Sequence, residues 1–305
     1  EEAMKDAVLK IENLNVIFHT KYGRANAVTD VNLELRRGEK LGLVGESGSG
    51  KSTTSKSIIR LLPSPPAELT GHIWYGDVDL LALPAREMER YRGNRISMIF
   101  QEPMVSLNPL YTVENQMGEV LRRHEKGLGR AQIRERVLDM LRRVDIPSPE
   151  TRLRQYPFEL SGGMRQRIMI AMSLLCSPEI LIADEPTTAL DVTIQAKILD
   201  LIHKLNTDYG TSLILITHDL GVIAQTVDYV AVMYAGSIVE KAPVKELFRA
   251  PLHPYTAGLL QSIPGSRPDG EELAVIPGTV PSIYRMPGGC AFHNRCGFAC
   301  ERCRA

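Results

Sequence analysis

The chain has 305 residues, of which 44% are hydrophobic and 24% charged, as is usual for a globular protein with a substantial core. Its 36 Lys and Arg balance its 36 Asp and Glu, so no net basic charge points to nucleic acid or anionic lipid. No apolar run reaches the roughly 18 residues that cross a bilayer, and the charged N-terminus lacks the apolar core of a signal peptide. We therefore expect a chain on the cytoplasmic side, with any membrane role exercised by docking to another protein.

The first part of the chain predicts strands followed by a helix. Residues 8–18 and 31–35 alternate between apolar and polar, as half-buried antiparallel strands do. Residues 40–45 are typical of a buried strand that runs into a glycine-rich turn. A helix is expected over about 51–62, before the prolines that begin at Pro63.

The later part predicts helices, then a sheet, then loops. Residues 131–144 carry the three-and-four spacing of an amphipathic helix, within a helical segment that is expected from about Leu107 to Pro157. Short apolar runs of a parallel sheet follow, and beyond about Phe248 the composition turns to Pro, Gly and Cys, which predicts a loop-rich extension. The apolar runs are residues 180–183, 213–216 and 230–233.

Residues 45–52 (Gly-Glu-Ser-Gly-Ser-Gly-Lys-Ser) match the phosphate-loop pattern Gly-x-x-x-x-Gly-Lys-Ser/Thr, between a predicted strand and a predicted helix. Glycines let the backbone curl so that successive N–H groups form an anion cradle at the helix N-terminus. Lys51 is predicted to face the outer phosphates, and the Ser52 hydroxyl to bind Mg²⁺. The nucleotide-binding residues expected here are Gly45, Ser47, Gly48, Ser49, Gly50, Lys51, Ser52 and Thr53.

A pair of adjacent carboxylates ends the apolar run at residues 180–183. A buried strand that finishes in Asp184 and Glu185 carries negative charge out of the sheet toward a bound nucleotide. Asp184 is expected to hold Mg²⁺ through water, and Glu185 to polarise the water that attacks the γ-phosphate.

A third segment, residues 160–167 (Leu-Ser-Gly-Gly-Met-Arg-Gln-Arg), lies between these two nucleotide motifs. A serine and two glycine amides at a predicted helix start form a second anion site. The segment resembles the signature sequence of ATP-binding-cassette proteins. The remaining marks of that family occur in the expected order, and the resemblance covers about residues 8–245. They are Gln101 within residues 99–103, Asp191 within 189–191 and His218 within 216–219.

The resemblance to ATP-binding-cassette proteins implies further roles. Gln101 is expected to reach Mg²⁺ and to sense the membrane subunit, and His218 to contact the γ-phosphate and support the attacking water. Asp191 is expected to organise the seam of a dimer. The family also stacks an aromatic side chain on adenine, for which we favour Tyr22, with Phe18 as the alternative. The signature residues Ser161, Gly162 and Gly163 are expected to face the γ-phosphate held by a second cassette subunit.

Three segments indicate a branch of the family. Residues 253–256 (His-Pro-Tyr-Thr) and 259–264 (Leu-Leu-Gln-Ser-Ile-Pro) resemble the C-terminal extension of oligopeptide, dipeptide and nickel importers. Residues 106–109 (Ser-Leu-Asn-Pro) are similar to that branch too. The resemblance implies an ATPase of the dipeptide type that couples ATP hydrolysis to import of di- or oligopeptides, or related small solutes such as nickel.

This resemblance also implies partners and a location. A second cassette subunit would form a homodimer or a heterodimer with this chain. Two transmembrane permease subunits and an extracytoplasmic solute-binding protein would complete the complex, and no nucleic acid is expected. The chain would then lie peripherally on the cytoplasmic face of the cell (inner) membrane.

The expected fold class is α/β. It consists of a phosphate-loop NTPase core with an antiparallel β subdomain, an inserted helical subdomain and a loop-rich, Cys-containing C-terminal extension. We predict a cassette domain over residues 1–247, with its helical subdomain at about 105–175, and the extension over 248–305.

A soluble cassette ATPase of translation or DNA maintenance would carry two cassettes or a long coiled coil. A non-hydrolysing cassette would have lost Glu185, His218 or Ser161, all of which are in place.

Four of the five cysteines lie in the last sixteen residues: Cys290, Cys296, Cys300 and Cys303. A cytosolic disulfide is disfavoured on redox grounds, so the open alternatives are an iron–sulfur cluster, zinc and free thiols. The resemblance favours a [4Fe–4S] cluster on Cys290, Cys296 and Cys303. The fourth ligand is then either Cys300 or a cysteine beyond residue 305. Because this tail is far in sequence from the phosphate loop, we expect cysteine-to-serine changes to impair folding of the tail and transporter assembly more than ATP turnover.

Overall fold

The computed structural model describes residues 7–101, 106–187, 192–263 and 275–305, with the backbone alone at 192–194. The chain divides into two compact units. Unit 1 comprises Glu1–Leu83 and Leu215–Ala305, and unit 2 comprises Pro84–Ile214. Strands and helices are both present in each unit, in agreement with the predicted α/β class.

The strands are β1 (Ala7–Thr20), β2 (Gly23–Arg36), β3 (Lys40–Val44), β4 (Ala67–Tyr75), β5 (Val78–Asp79), β6 (Ile96–Ile99), β7 (Ile180–Asp184), β8 (Ser212–Ile216), β9 (Tyr229–Tyr234) and β10 (Ser237–Pro243). The helices are α1 (Lys51–Ile58), α2 (Ala85–Met88), α3 (Val113–His124), α4 (Arg130–Arg143), α5 (Pro149–Arg152), α6 (Gly162–Leu174), α7 (Val192–Tyr209), α8 (Leu220–Thr226), α9 (Val244–Arg249) and α10 (Pro254–Gln261). Among the helices in the described ranges, none combines the length and the apolar character needed to span a bilayer.

Unit 1 contains an antiparallel sheet in the order β2-β1-β4-β5. The alternating pattern of β1 buries Leu9, Ile11, Leu14 and Val16, which confirms the predicted strand. The same unit holds β3 parallel to β9, and β9 antiparallel to β10. Strand β3 is buried and delivers the chain into the phosphate loop at its C-terminal end.

Helix α8 packs against β3 at Gly42. A Cβ atom at Gly42 would lie 2.7 Å from Ile223 Cδ1, so a larger residue there would require the Ile223 side chain to shift. Helix α1 ends at Ile58 and not at the predicted Leu62. The chain turns there because Arg60 adopts a left-handed φ of 51° and the Leu61 amide bonds back to the Lys56 carbonyl at 2.9 Å.

Unit 2 combines the parallel pair β6 and β7 with a group of packed helices. The amphipathic helix predicted at residues 131–144 is confirmed as α4, whose buried side chains are Ile133, Val137, Met140 and Leu141. In the strand pair, Ile99 lies opposite Ala183. This register brings the residues that follow the two strands, Gln101 and Glu185, to the same sheet edge.

The C-terminal extension contains more regular structure than its composition predicts. Helix α9 ends where the extension begins, and α10 lies within the extension and is capped by His253, whose Nδ1 accepts from the Tyr255 amide at 3.1 Å. The Leu252 and His253 amides in turn donate to the Glu240 carboxylate. These hydrogen bonds stabilise a short helix that has weak apolar periodicity. The proposed boundary at residue 247 stays a prediction.

Candidate functional site

The phosphate loop has the backbone geometry that its glycines predict. Gly45, Gly48 and Gly50 adopt φ values of 149°, 77° and 104°. A Cβ atom at Gly45 would lie 2.1 Å from the Met233 carbonyl oxygen, and one at Gly50 would lie 2.9 Å from the Ala27 carbonyl oxygen. The loop is therefore shaped both by its own torsions and by the strands behind it.

Lys51 lies inside this loop and is only 5% exposed. Its ammonium donates to the carbonyls of Gly45 at 2.7 Å and Glu46 at 2.9 Å, and to Ser49 Oγ at 3.4 Å. An ammonium bonded to neutral oxygens can exchange them for phosphate oxygens, with which it forms stronger, charge-assisted hydrogen bonds. Beside it, Ser52 and Thr53 begin α1 and are half-buried, while Ser47 and Gly48 are exposed.

His218 follows β8 in a tight polar turn. The Thr217 hydroxyl accepts from the Asp219 amide at 3.1 Å, and the Asp219 carboxylate caps α8 by accepting from the Gly221 and Val222 amides. These bonds hold the backbone on both sides of His218, whose side chain is exposed.

Tyr22 lies in the turn between β1 and β2 and is 75% exposed. Its ring meets the ring of Tyr284 edge-on, with centroids 6.4 Å apart, and Lys21 Nζ lies 5.0 Å from its centroid. The alternative, Phe18, is within β1, paired with Ala25 and Ala67. Tyr22 therefore offers the more open ring face, and the choice between the two stays a prediction.

Unit 2 brings two of the predicted residues into contact. Gln101 Nε2 donates to Glu185 Oε2 at 2.8 Å. Glu185 adopts a left-handed φ of 46°, which is unusual for a non-glycine residue and is typical of functional sites. Asp184 is 2% exposed at the end of β7. The two carboxylates thus have different surroundings, one buried and one turned toward a neutral amide.

The signature residues begin α6. Ser161 Oγ accepts from the Met164 amide at 3.3 Å and so caps this helix. Ser161 and Gly162 are exposed, Gly163 is half-buried, and a Cβ atom at Gly162 would meet no atom within 4 Å. The predicted helix start is confirmed, and it presents an open surface.

Gln166 is a residue whose role the sequence motifs did not reveal. It lies one turn into α6, is 1% exposed and donates from Nε2 to the carbonyl of Pro186, which directly follows Glu185. The helix of the signature segment is therefore hydrogen-bonded to the residue that follows Glu185. The available signal in the sequence was its position inside the signature segment, two residues after Met164. Glutamine is common in helices, so this position alone did not indicate a role for its side chain.

A second unpredicted contact joins the extension to the phosphate loop. Arg295 forms a two-pronged ion pair with Glu46, at 2.7 and 3.1 Å, and Tyr255 Oη accepts from the Glu46 amide at 2.8 Å. The cysteine tail is thus far from the loop in sequence but adjacent to it in space. The expected small effect of the tail on ATP turnover stays a prediction, but distance in sequence does not support it.

The four tail cysteines are free thiols that come together only in part. The Cys290 amide donates to the Cys303 carbonyl at 2.9 Å, and the Cys300 and Cys303 sulfurs are 3.6 Å apart. Hydrogen bonds, foremost from the Cys303 thiol, lower the pKa of Cys300. Within the described ranges, no three His, Cys, Asp or Glu side chains form a group that could hold a metal ion. The thiols as placed therefore do not fit an iron–sulfur cluster.

The predicted Mg²⁺ ligands fit that ion by their chemistry. The Ser52 hydroxyl, the Asp184 carboxylate and the Gln101 amide oxygen are the hard oxygen donors that Mg²⁺ prefers. Asp191, predicted to lie at a dimer seam, is outside the described residues.

The sequence matches two family models. Residues 28–188 match the model described as ABC transporter, and residues 239–303 match the one described as oligopeptide/dipeptide transporter, C-terminal region. The chain therefore belongs to the ABC transporter family, in agreement with the motifs of its phosphate loop and signature helix. As a member it is an ATPase that uses ATP and Mg²⁺.

Its curated relatives share most of their length with it. It is 53% identical to the dipeptide transport ATP-binding protein DppD of Bacillus subtilis (strain 168) over 292 residues, which cover 95% of this chain and 87% of that protein. It is 47% identical to the oligopeptide transport ATP-binding protein OppD of Salmonella typhimurium (strain LT2), with 98% and 88% covered.

Solved structures agree in fold. The ATP-binding cassette MJ0796, in a dimeric post-hydrolysis state bound to ADP and Pi, has a TM-score of 0.69 and 28% identity, and the match covers 77% of this chain and 98% of that one. Another is cbiO1 of Clostridium perfringens, part of the cbiONQ transporter complex, with a TM-score of 0.66, 28% identity and 80% and 92% covered.

Proposed function

We propose that this chain is the ATP-hydrolysing subunit of an importer for di- or oligopeptides or related small solutes. The observation that carries the proposal is the phosphate loop built around buried Lys51, in a chain that matches the ABC transporter model. The relatives named for dipeptide and oligopeptide transport support the solute class, as does the match of residues 239–303.

In the proposed reaction, the amides of the phosphate loop and Lys51 hold the β- and γ-phosphates of ATP. Glu185 accepts a proton from the attacking water, and Gln101, bonded to Glu185 at 2.8 Å, orients that carboxylate. His218 donates to the γ-phosphate. Ser52, Asp184 and Gln101 would hold Mg²⁺, which would neutralise phosphate charge. Tyr22 stacks on adenine.

The proposed assembly contains a second cassette subunit, whose signature serine and glycines reach the γ-phosphate bound by this chain, as Ser161, Gly162 and Gly163 do in return. The exposed start of α6 supports this arrangement, and so does the dimeric state of the MJ0796 cassette. Two permease subunits and an extracytoplasmic solute-binding protein complete the importer, with this chain peripheral on the cytoplasmic face of the membrane.

The resemblance of the tail to that of the importer branch supports a narrower proposal, a [4Fe–4S] cluster on Cys290, Cys296 and Cys303 with Cys300 as the fourth ligand. The thiol positions do not support it, and no step of the ATPase is assigned to it. Protein purified without oxygen decides the matter. Iron with acid-labile sulfide supports the cluster, whereas stoichiometric zinc or no metal contradicts it.

Replacing Glu185 with Gln tests the ATPase. The variant should bind ATP normally but hydrolyse it about 10²–10⁴ times more slowly, because an amide cannot accept the proton. The matched control is Glu179→Gln, the same change next to the other end of β7, where Glu179 pairs with Arg95 at the surface. Wild-type hydrolysis by Glu185→Gln would contradict the mechanism.

ATP-driven peptide uptake into vesicles that carry the assembled transporter tests the solute class.

A further inference from the structure

Arg295 is a buried arginine whose donors all point to fixed acceptors. Its side chain is 4% exposed. Nη1 and Nη2 donate to the two Glu46 carboxylate oxygens at 2.7 and 3.1 Å, and Nε donates to the Pro277 carbonyl at 2.8 Å. Longer bonds of 3.4 Å reach Tyr234 Oη and the Ile276 carbonyl. Such a planar fork holds a carboxylate in one orientation.

The partner, Glu46, is the second residue of the phosphate loop, and three of its groups are held at once. Its carboxylate pairs with Arg295, and its amide donates to Tyr255 Oη at 2.8 Å. Its carbonyl accepts from Lys51 Nζ at 2.9 Å and from the Ser49 amide at 3.2 Å. The conformation of Glu46 therefore sets where the Lys51 ammonium rests and how the loop curls.

Arg295 and Tyr255, which hold the carboxylate and the amide of Glu46, both belong to the C-terminal extension. Burial raises the pKa of Tyr255, so its hydroxyl stays neutral and available as an acceptor. Phe292, 3% exposed, packs its ring against Tyr234 and Tyr255 at centroid distances of 5.2 and 5.5 Å. The extension thus forms an aromatic support under the loop, with Arg295 at its edge, one residue before Cys296.

We infer that Arg295 is a positioning residue for ATP binding, which acts through Glu46 to keep the phosphate loop in the conformation that binds ATP. The inference rests on the proposed ATP site. Loss of the guanidinium leaves the Glu46 carboxylate without its two hydrogen bonds, so the free loop samples more conformations. ATP binding must then order the loop, and this loss of entropy weakens the affinity. The same contact makes the part of the tail that carries Arg295 a support of the nucleotide site.

The test is the dissociation constant of Mg-ATP, measured by titration of the full chain, together with the temperature of thermal unfolding. Arg295→Gln should weaken ATP binding about tenfold, and Arg295→Lys by less, because lysine keeps the charge but loses the fork. Glu46→Gln should also weaken binding, and the double variant should lie within about twofold of Arg295→Gln, since the two residues act as one unit. Arg302→Gln, an exposed arginine of the same tail, is the matched control and should bind as wild type.

The outcomes separate this inference from the proposed function. Wild-type protein that does not bind ATP contradicts the proposed function. Wild-type affinity in Arg295→Gln overturns the inference, whether or not its unfolding temperature falls, because a purely structural role lowers only that temperature. If Arg295→Gln does not fold, Arg295→Lys and Glu46→Gln decide, and wild-type affinity in both overturns the inference. Additive losses in the double variant overturn it as well.

Discussion

Helices α1 and α6 both begin at glycine-containing segments, and the surroundings of the two segments differ. At the phosphate loop before α1, the glycines adopt left-handed torsions, Lys51 is buried, and a carbonyl of β9 lies behind Gly45. At the start of α6, Ser161 caps its own helix, and Gly162 has open space around it. The first segment has its supporting contacts within the chain. The second offers exposed groups, as expected for a site completed by another subunit.

Alanine at each glycine tests that difference with the largest expected effect. Gly45→Ala should lower the free energy of unfolding by about 3 kcal/mol or more, because its Cβ meets the Met233 carbonyl oxygen at 2.1 Å. Gly162→Ala should change it by less than about 0.5 kcal/mol, since nothing lies within 4 Å. Urea unfolding of the two variants measures both values. Equal destabilisation would remove the distinction between a packed and an open segment.

The next pair of variants compares the contributions of the phosphate loop and of the signature segment to ATP binding. Lys51→Ala should weaken ATP binding by about 1.5–3 kcal/mol, the contribution of hydrogen bonds to a charged group. Ser161→Arg should leave ATP binding by the single chain intact while preventing the ATP-dependent dimer, although loss of the helix cap costs about 1 kcal/mol of stability. Nucleotide titration and sedimentation separate the effects. If both variants lose ATP binding equally, the division between own-chain and partner contacts is wrong.

A smaller effect is expected at the aromatic turn. Tyr22→Ala should cost ATP affinity at the lower end of about 1–3 kcal/mol, the range for base–aromatic stacking, because the ring is largely exposed. The loss should be similar for GTP, since stacking reads the face of the base. Phe18→Ala is the matched control within β1. A silent Tyr22→Ala with a defective Phe18→Ala would reverse our choice.

The smallest effect is expected at the exposed end of the tail. Cys300→Ser should change neither ATP affinity nor the free energy of unfolding by more than about 0.5 kcal/mol, because Cys300 is exposed and its thiol contacts Cys303. The variant distinguishes the buried Arg295 support from the rest of the tail. A clear loss of ATP affinity in Cys300→Ser would mean that the whole tail, and not Arg295 with its aromatic support, shapes the phosphate loop.

The amino-acid sequence by itself determined the family, the phosphate loop and the signature helix start. These features are local, because a glycine torsion, an N–H direction and a helix cap depend on residues that are neighbours in the chain. The α/β class followed in the same way from alternating and three-and-four periodicities, as β1 and α4 demonstrate.

Only the tertiary structure decided which distant groups meet. Glu46 and Arg295 are 249 residues apart, and nothing in the sequence selects Arg295 from the 36 lysines and arginines as the partner of the loop. The contact of Gln166 with Pro186 and the carbonyl of Met233 behind Gly45 likewise arise from packing. Periodicity specifies which side of an element is buried. It does not specify which side chain from another element will lie against it, and for that reason the support of the phosphate loop by the C-terminal extension became visible only in three dimensions.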